Sequence, residues 1–184
     1  DLLSLPDGSN YQGIVQVKNN YIDPNTKDFL SSAPGNMLAL KEDNSIITLA
    51  SLGMYRIELF STSGELLKIR QGEKAILSFP IAEMHKGKVP NNVPIWSLDE
   101  STGLWKQEGS ATQNGDIFTA EVSHFSFWNL DLPFDVEEIC FSLKQADGTP
   151  ISGMNLSFFV NDVFKFGLES TDNDGKVCAK IPLN

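Results

Sequence analysis

The chain has 184 residues, 41% of them apolar and 21% charged, with twelve Phe, three Trp and three Tyr, which is ample material for a packed core and excludes a disordered polypeptide. A formal charge of −10 repels nucleic acid and anionic membranes on average, and no Lys/Arg cluster makes a local exception. The longest apolar runs, such as Ile46-Ile47 and Phe158-Phe159-Val160, fall far short of the about 20 residues that a spanning helix needs.

The first residues, Asp1-Leu2-Leu3-Ser4-Leu5-Pro6, contain neither Met nor a basic stretch, so the chain is expected to start at a processed or trimmed end without its export signal. From there it reads as strands and turns. Tyr55, Ile57 and Leu59 alternate with Arg56 and Glu58, and Phe118, Ala120 and Val122 alternate with Thr119 and Glu121, the pattern of half-buried strands. Ser63-Gly64, Thr102-Gly103, Asn114-Gly115, Asp147-Gly148 and Asp174-Gly175 place glycine where a hairpin calls for positive φ. Turns at intervals of roughly 8 to 12 residues predict an all-β fold of antiparallel sandwich type. The predicted strands are 12–18, 37–41, 46–50, 53–60, 74–79, 94–98, 104–108, 117–122, 124–130, 139–145, 154–160, 163–169 and 176–181. No long window keeps a helical period, and the one helical turn predicted lies near residues 81–86.

So many strands exceed one small sandwich. A Pro and four acids in Asp131-Leu132-Pro133-Phe134-Asp135-Val136-Glu137-Glu138 are expected to interrupt the alternation, dividing the chain into a first domain, 1–134, and a second, 135–184. The second piece is marginal for a core of its own. Either it packs on the first domain or more chain follows.

The residues that could carry chemistry are few. Cys140 and Cys178 both fall in strand-like segments, either as a disulfide or as two small buried hydrophobes. Trp96 and Leu98 share a strand face, and the turn at Gly103 lets Leu104 and Trp105 meet them across a hairpin, so the indoles are expected in the core; exposed, Trp96, Trp105 or Trp128 could instead stack on a ligand. His85 lies in an exposed-looking stretch, and with two His in the chain a His-based metal site is not expected. Asp172 and Asp174 could offer oxygens to Ca²⁺, as could Asp131, Asp135, Glu137 and Glu138 between the domains, but the first pair reads as a hairpin turn and the second group as a solvated linker. No cofactor motif occurs.

Three blocks, Ser51-Leu52-Gly53-Met54-Tyr55-Arg56-Ile57-Glu58-Leu59, Val93-Pro94-Ile95-Trp96-Ser97-Leu98-Asp99-Glu100-Ser101-Thr102-Gly103-Leu104-Trp105-Lys106-Gln107-Glu108-Gly109 and His124-Phe125-Ser126-Phe127-Trp128-Asn129, stand in an order that resembles the extracellular region shared by cartilage intermediate layer protein and many bacterial surface proteins. The likeness covers about residues 10–131. More distantly it resembles the β-sandwich module of netrin receptors, ankyrins and tight-junction scaffolds. The tail, Phe141-Ser142-Leu143-Lys144-Gln145-Ala146-Asp147-Gly148-Thr149-Pro150-Ile151-Ser152-Gly153-Met154 followed by Ser170-Thr171-Asp172-Asn173-Asp174-Gly175-Lys176-Val177, is similar to the carboxypeptidase regulatory-like, or transthyretin-like, Ig-like sandwich.

These resemblances imply a non-enzymatic structural or adhesive module of an exported bacterial protein, at the cell surface, outer-membrane-associated or extracellular, meeting a protein or glycan and needing no cofactor. In relatives of the netrin-receptor-type module a His-Phe-Ser triplet is cut between Phe and Ser. Here Ser126 Oγ would attack the Phe125 carbonyl with His124 as base, an N-to-O acyl shift resolved by water. A regular strand over 124–130 puts His124, Ser126 and Trp128 on one face, where a His–Ser hydrogen bond serves structure equally well. The attack further demands a twisted scissile amide.

Overall fold

The computed structural model describes residues 2–35, 37–41, 45–160 and 164–182. Among these the chain forms strands β1 (Leu3–Ser4), β2 (Gln16–Ile22), β3 (Leu38–Leu40), β4 (Ile46–Phe60), β5 (Leu66–Ile69), β6 (Ala75–Pro80), β7 (Asn92–Asp99), β8 (Leu104–Asn114), β9 (Ile117–Val122), β10 (Phe127–Ser142), β11 (Asn155–Val160), β12 (Phe164–Ser170) and β13 (Lys176–Pro182). Helical structure is confined to one α turn, α1 (Phe29–Ser32), and a 3-10 turn at Glu83–His85 within the stretch predicted for it. The protein is all-β with one large, mainly antiparallel sheet. The five glycines expected to turn hairpins, 64, 103, 115, 148 and 175, all have positive φ.

Several expectations need correction. The first predicted strand sits four residues late, because Tyr11 Oη donates to Ile14 O at 2.7 Å and its ring lies over Gly13, bending the chain before β2 begins. The strands predicted at 46–50 and 53–60 are one strand, β4. Residues 131–138 do not interrupt the strands but continue them inside β10. Pro133 is tolerated there as a strand residue facing β4 Leu49 in register. His85 is 1% exposed rather than open to solvent, and burial holds its imidazole below the usual histidine range. β1, β5 and α1 were not anticipated, being too short to show a period. Residue 163, where one predicted strand begins, and Asp1 lie outside the described residues.

The hydrogen-bonded order β1-β5-β4-β10-β7-β8-β9-β6 forms the sheet, with β2 added to β4 and β13 to β10. β3 pairs with β4 on one side and, through a single parallel bridge from Ala39 to Trp105, with β8 on the other. Strands β4, β10, β7, β8 and β3 thus close a ring. Two buried clusters fill the fold. One draws Leu52, Ile57, Leu59, Phe79, Ile95, Phe118, Trp128 and Leu130 together; the other draws Ile47, Leu49, Met54, Trp96 and Trp105 from the ring and Phe29 from α1.

β4 contributes to both clusters by changing faces. Ile47 and Leu49 enter the ring cluster, yet so does Met54, and an unbroken two-residue period would put 49 and 54 on opposite sides. The register explains it: Gly53 opposes Leu130 and Ser51 opposes Asp131, leaving Leu52 unmatched in a bulge. β8 repeats the device. Ile95 opposes Gly109 and Trp96 opposes Gln107, so Glu108 is the extra residue. Each bulge is followed by a glycine with φ near 150°, Gly53 at 150° and Gly109 at 152°.

β10 spans the two halves of the chain. From Phe127 to Asp135 it pairs with β4, and from Val136 to Ser142 with β13. The partner changes between Asp135 and Val136 without a break in the strand. β11 and β12 form a separate two-stranded sheet.

Candidate functional site

The bulge in β8 swings Glu108 out of the strand alternation toward the segment that precedes β10. One carboxylate oxygen accepts from Ser97 Oγ at 2.6 Å, and the other lies 3.0 Å from His124 Nε2. Burial pushes the Glu108 carboxyl up, but hydrogen bonds from Ser97 and His124, with the nearby imidazole and Lys106, outweigh it and leave it below the ordinary carboxylate range. An ionised Glu108 only accepts, so Nε2 carries the proton. The imidazole also stacks on the Trp128 ring, centroids 4.8 Å apart, while Trp128 Nε1 donates to His124 O at 3.1 Å. Four residues from three elements hold the turn before β10.

That arrangement engages His124 Nε2 with Glu108 rather than with Ser126. Residues 123–126 form a bend rather than a strand, and β10 begins only at Phe127. Ser126 Oγ donates to the Phe127 carbonyl at 3.2 Å, the carbonyl on the far side of the expected scissile bond. The expected His124–Ser126 contact is not among the hydrogen bonds of the described residues. Phe125 packs against the first cluster. In this geometry the base an acyl shift would need is hydrogen-bonded to Glu108, and the hydroxyl to the Phe127 carbonyl.

All three indoles are core side chains. Trp96, Trp105 and Trp128 are 2%, 1% and 1% exposed, so none offers the flat open face that ligand stacking requires. Leu98 pairs in register with Trp105 across the β7–β8 hairpin, the meeting the turn at Gly103 predicted. A cleft of about 930 Å³ is lined by Leu40, Lys41, Ile47, Trp96, Trp105 and Lys106 among others, but the two indoles are part of its wall without presenting a ring to it.

A second polar group lies wholly inside the sheet. Asn129 and Asp131, two residues apart on one face of β10, are both 0% exposed. Ser51 Oγ donates to Asn129 Oδ1 at 2.7 Å and accepts from Gly53 N at 3.1 Å, so the hydroxyl of the bulge is used by its own strand and its neighbour. Among the described residues neither Asp131 carboxyl oxygen nor Asn129 Nδ2 has a hydrogen-bond partner at normal geometry. Burial pushes the Asp131 carboxyl well above the usual range, and Ser51, already spent on Asn129, offsets this only weakly. The acid expected in a solvated linker is therefore the most deeply buried among the described residues.

The remaining candidates resolve simply. Cys140 and Cys178 face each other across β10 and β13, joined by a disulfide, and both are exposed rather than buried. Asp172 Oδ1 accepts the backbone N–H groups of Asp174 and Lys176, at 2.9 and 2.8 Å, which makes it the cap of the turn. Asp135 pairs with Lys41, and Glu137 and Glu138 are exposed along β10. Among the described residues no group of three or more His, Cys, Asp or Glu could hold a metal ion. Sequence reasoning missed Glu108, Ser51 and Asn129. Their signal was Gly53 and Gly109, glycines inside strand patterns, which mark bulges.

Comparison with known proteins gives distant relatives only. Residues of this chain are 24% identical over 140 positions to human cartilage intermediate layer protein 2, covering 69% of the chain and 12% of that protein. The mouse protein of that name is 27% identical over 114 positions, covering 60% and 9%, and pig cartilage intermediate layer protein 1 is 24% identical over 107, covering 56% and 17%. Much of the chain is thus distantly related to a domain of these proteins, of whose lengths it spans 9% to 17%. No protein-family model matches, and no solved structure matches.

Proposed function

We propose that the chain is a non-enzymatic structural module of an exported protein, which holds a rigid sheet and its loops out to a protein or glycan. The observation that carries this reading is the commitment of His124 to Glu108 and Trp128: the one sequence motif with a known chemistry is used to fasten a turn. Relatives named for a cartilage layer fit an extracellular setting, and so does an exposed disulfide, which persists in oxidising compartments. No helix among the described residues is long and apolar enough to cross a membrane. Display at a bacterial cell surface, with adhesion, is the finer form of the reading, supported by the resemblance of the Trp block.

In the same reading the chain comprises two units, 1–134 and 135–184, the second a partial carboxypeptidase regulatory-like sandwich. The change of β10 partner after Asp135 and the Asp-Gly turns at 147–148 and 174–175 support that division. Intact mass and a denaturing gel test the absence of self-processing. A single full-length species after prolonged incubation is expected; fragments of 125 and 59 residues, abolished by Ser126→Ala, would overturn it.

A further inference from the structure

β2 is an edge strand, paired with β4 alone among the described residues. The direction of its free backbone groups follows from the other side of β4. Ile57 donates its N–H to Ser126 O at 3.1 Å and Ser61 donates to Glu65 O at 2.9 Å, so odd-numbered residues at this end of β4 point toward β10 and β5. Even-numbered residues therefore bond β2. Lys18 with Glu58 and Asn20 with Arg56 are the hydrogen-bonded pairs, and Asn19 with Ile57 is not. The N–H and C=O groups of Val17, Asn19 and Tyr21 point away from the sheet.

The strand is also bare on its faces. Every residue from 16 to 20 is exposed, and Val17 keeps 58% of its surface although its register partner Leu59 belongs to the first core cluster. Ile14, just before the strand, keeps 74%. Edges that must stay single carry prolines, bulges or several charges; β2 has an unbroken register and one charge, Lys18. Residues 8–22 contain no Asp or Glu, so this edge escapes the repulsion that a charge of −10 sets up between copies elsewhere.

We propose that β2 pairs antiparallel with β2 of a second copy of this chain, about a two-fold axis at Asn19. On that axis Asn19 exchanges both backbone bonds with its counterpart, Val17 stands opposite Tyr21, and Lys18 stands opposite Asn20, so no like charges meet. The added strand covers Val17 at the margin of the core. One edge buries less than the about 800 Å² per partner of a stable complex, so the dimer is weak and concentration-dependent. It is independent of whether the chain is cut at Ser126, so its failure leaves the display role standing.

Sedimentation of the whole chain from micromolar to submillimolar concentration should show a monomer–dimer equilibrium. Asn19→Pro removes an outward N–H and leaves the β2–β4 bonds, and should weaken association at least about ten-fold. If circular dichroism shows that this variant misfolds, Val17→Lys, a surface change, should do the same. Asn19→Cys should form a covalent dimer on mild oxidation, since hydrogen-bonded pairs bring Cα atoms to about 5.5 Å, within disulfide reach; Glu73→Cys, exposed in a distant turn, should lag far behind. Three outcomes would overturn the dimer: a monomer at every concentration with Asn19→Cys no faster than Glu73→Cys, dimers persisting in both Asn19→Pro and Val17→Lys, or protection of the β2 amides only by a foreign strand.

Discussion

Glu108 Oε2 and His124 Nε2 lie 3.0 Å apart although sixteen residues separate them, because the bulge that makes Glu108 the unmatched residue of β8 aims its side chain across Ser97. The pair fastens the entry to β10, the longest strand of the sheet.

Glu108→Gln should therefore destabilise the protein by about 1 kcal/mol at neutral pH, the partial exposure of both groups keeping the loss small. The folded carboxyl titrates below its unfolded value. Its contribution is complete above the unfolded pKa and disappears as pH falls through the folded one. Urea melts should show the gap between wild type and variant closing as pH falls below the unfolded glutamate value, about 4.3.

Asp131 should act with the opposite sign. Its folded pKa is raised, so its own contribution is most favourable below the unfolded pKa, near 4, and is lost as pH rises from there toward the folded value. Asp131→Asn should remove that slope and be more stable than wild type at about pH 8, by about 2 kcal/mol or more. Equal pH dependence of the two proteins in denaturant melts would show that the carboxyl is not isolated.

The disulfide joins strands whose cysteines are exposed, so removing it sacrifices little packing and acts on the unfolded chain. Releasing a loop with a sequence separation of 38 should cost roughly 4 kcal/mol on the chain-entropy scale. The double variant Cys140→Ser, Cys178→Ser and the wild type in reductant should melt at one temperature, well below the oxidised protein, with native far-UV circular dichroism before the transition.

The two bulge glycines separate backbone strain from crowding. A Cβ on Gly53 would lie 2.7 Å from Tyr21 Oη, whereas one on Gly109 would meet Ile95 at 3.7 Å, an ordinary contact. Their φ values are nearly equal. Gly109→Ala should cost about 1 to 2 kcal/mol from conformation alone, and Gly53→Ala measurably more. Thermal melts of the two variants rank them directly.

Alternation at 55–59 and 118–122 and the Asp-Gly and Asn-Gly turns made most strands of the fold readable, since period and turn chemistry are local. The faces were not. A bulge inserts one residue without altering composition, so Leu52 and Glu108 reverse inside and outside while each flanking segment still alternates. The acids of 131–138 misled for a related reason: charge there suggested solvent, while the register of β10 against β4 buries Asp131 and leaves Glu137 and Glu138 outside. His124 was legible as a residue with a job, but its partner lay in another hairpin, beyond the reach of spacing.

β10 has a mechanical corollary. Its C-terminal half is bound to β13 and its N-terminal half is laid along β4 from Phe127 to Asp135, with the Cys140–Cys178 link tying the two tail strands together. Tension applied beyond the tail would reach the body of the protein along the axis of one uninterrupted strand, loading that ladder in shear, so its rungs resist together rather than unzipping singly.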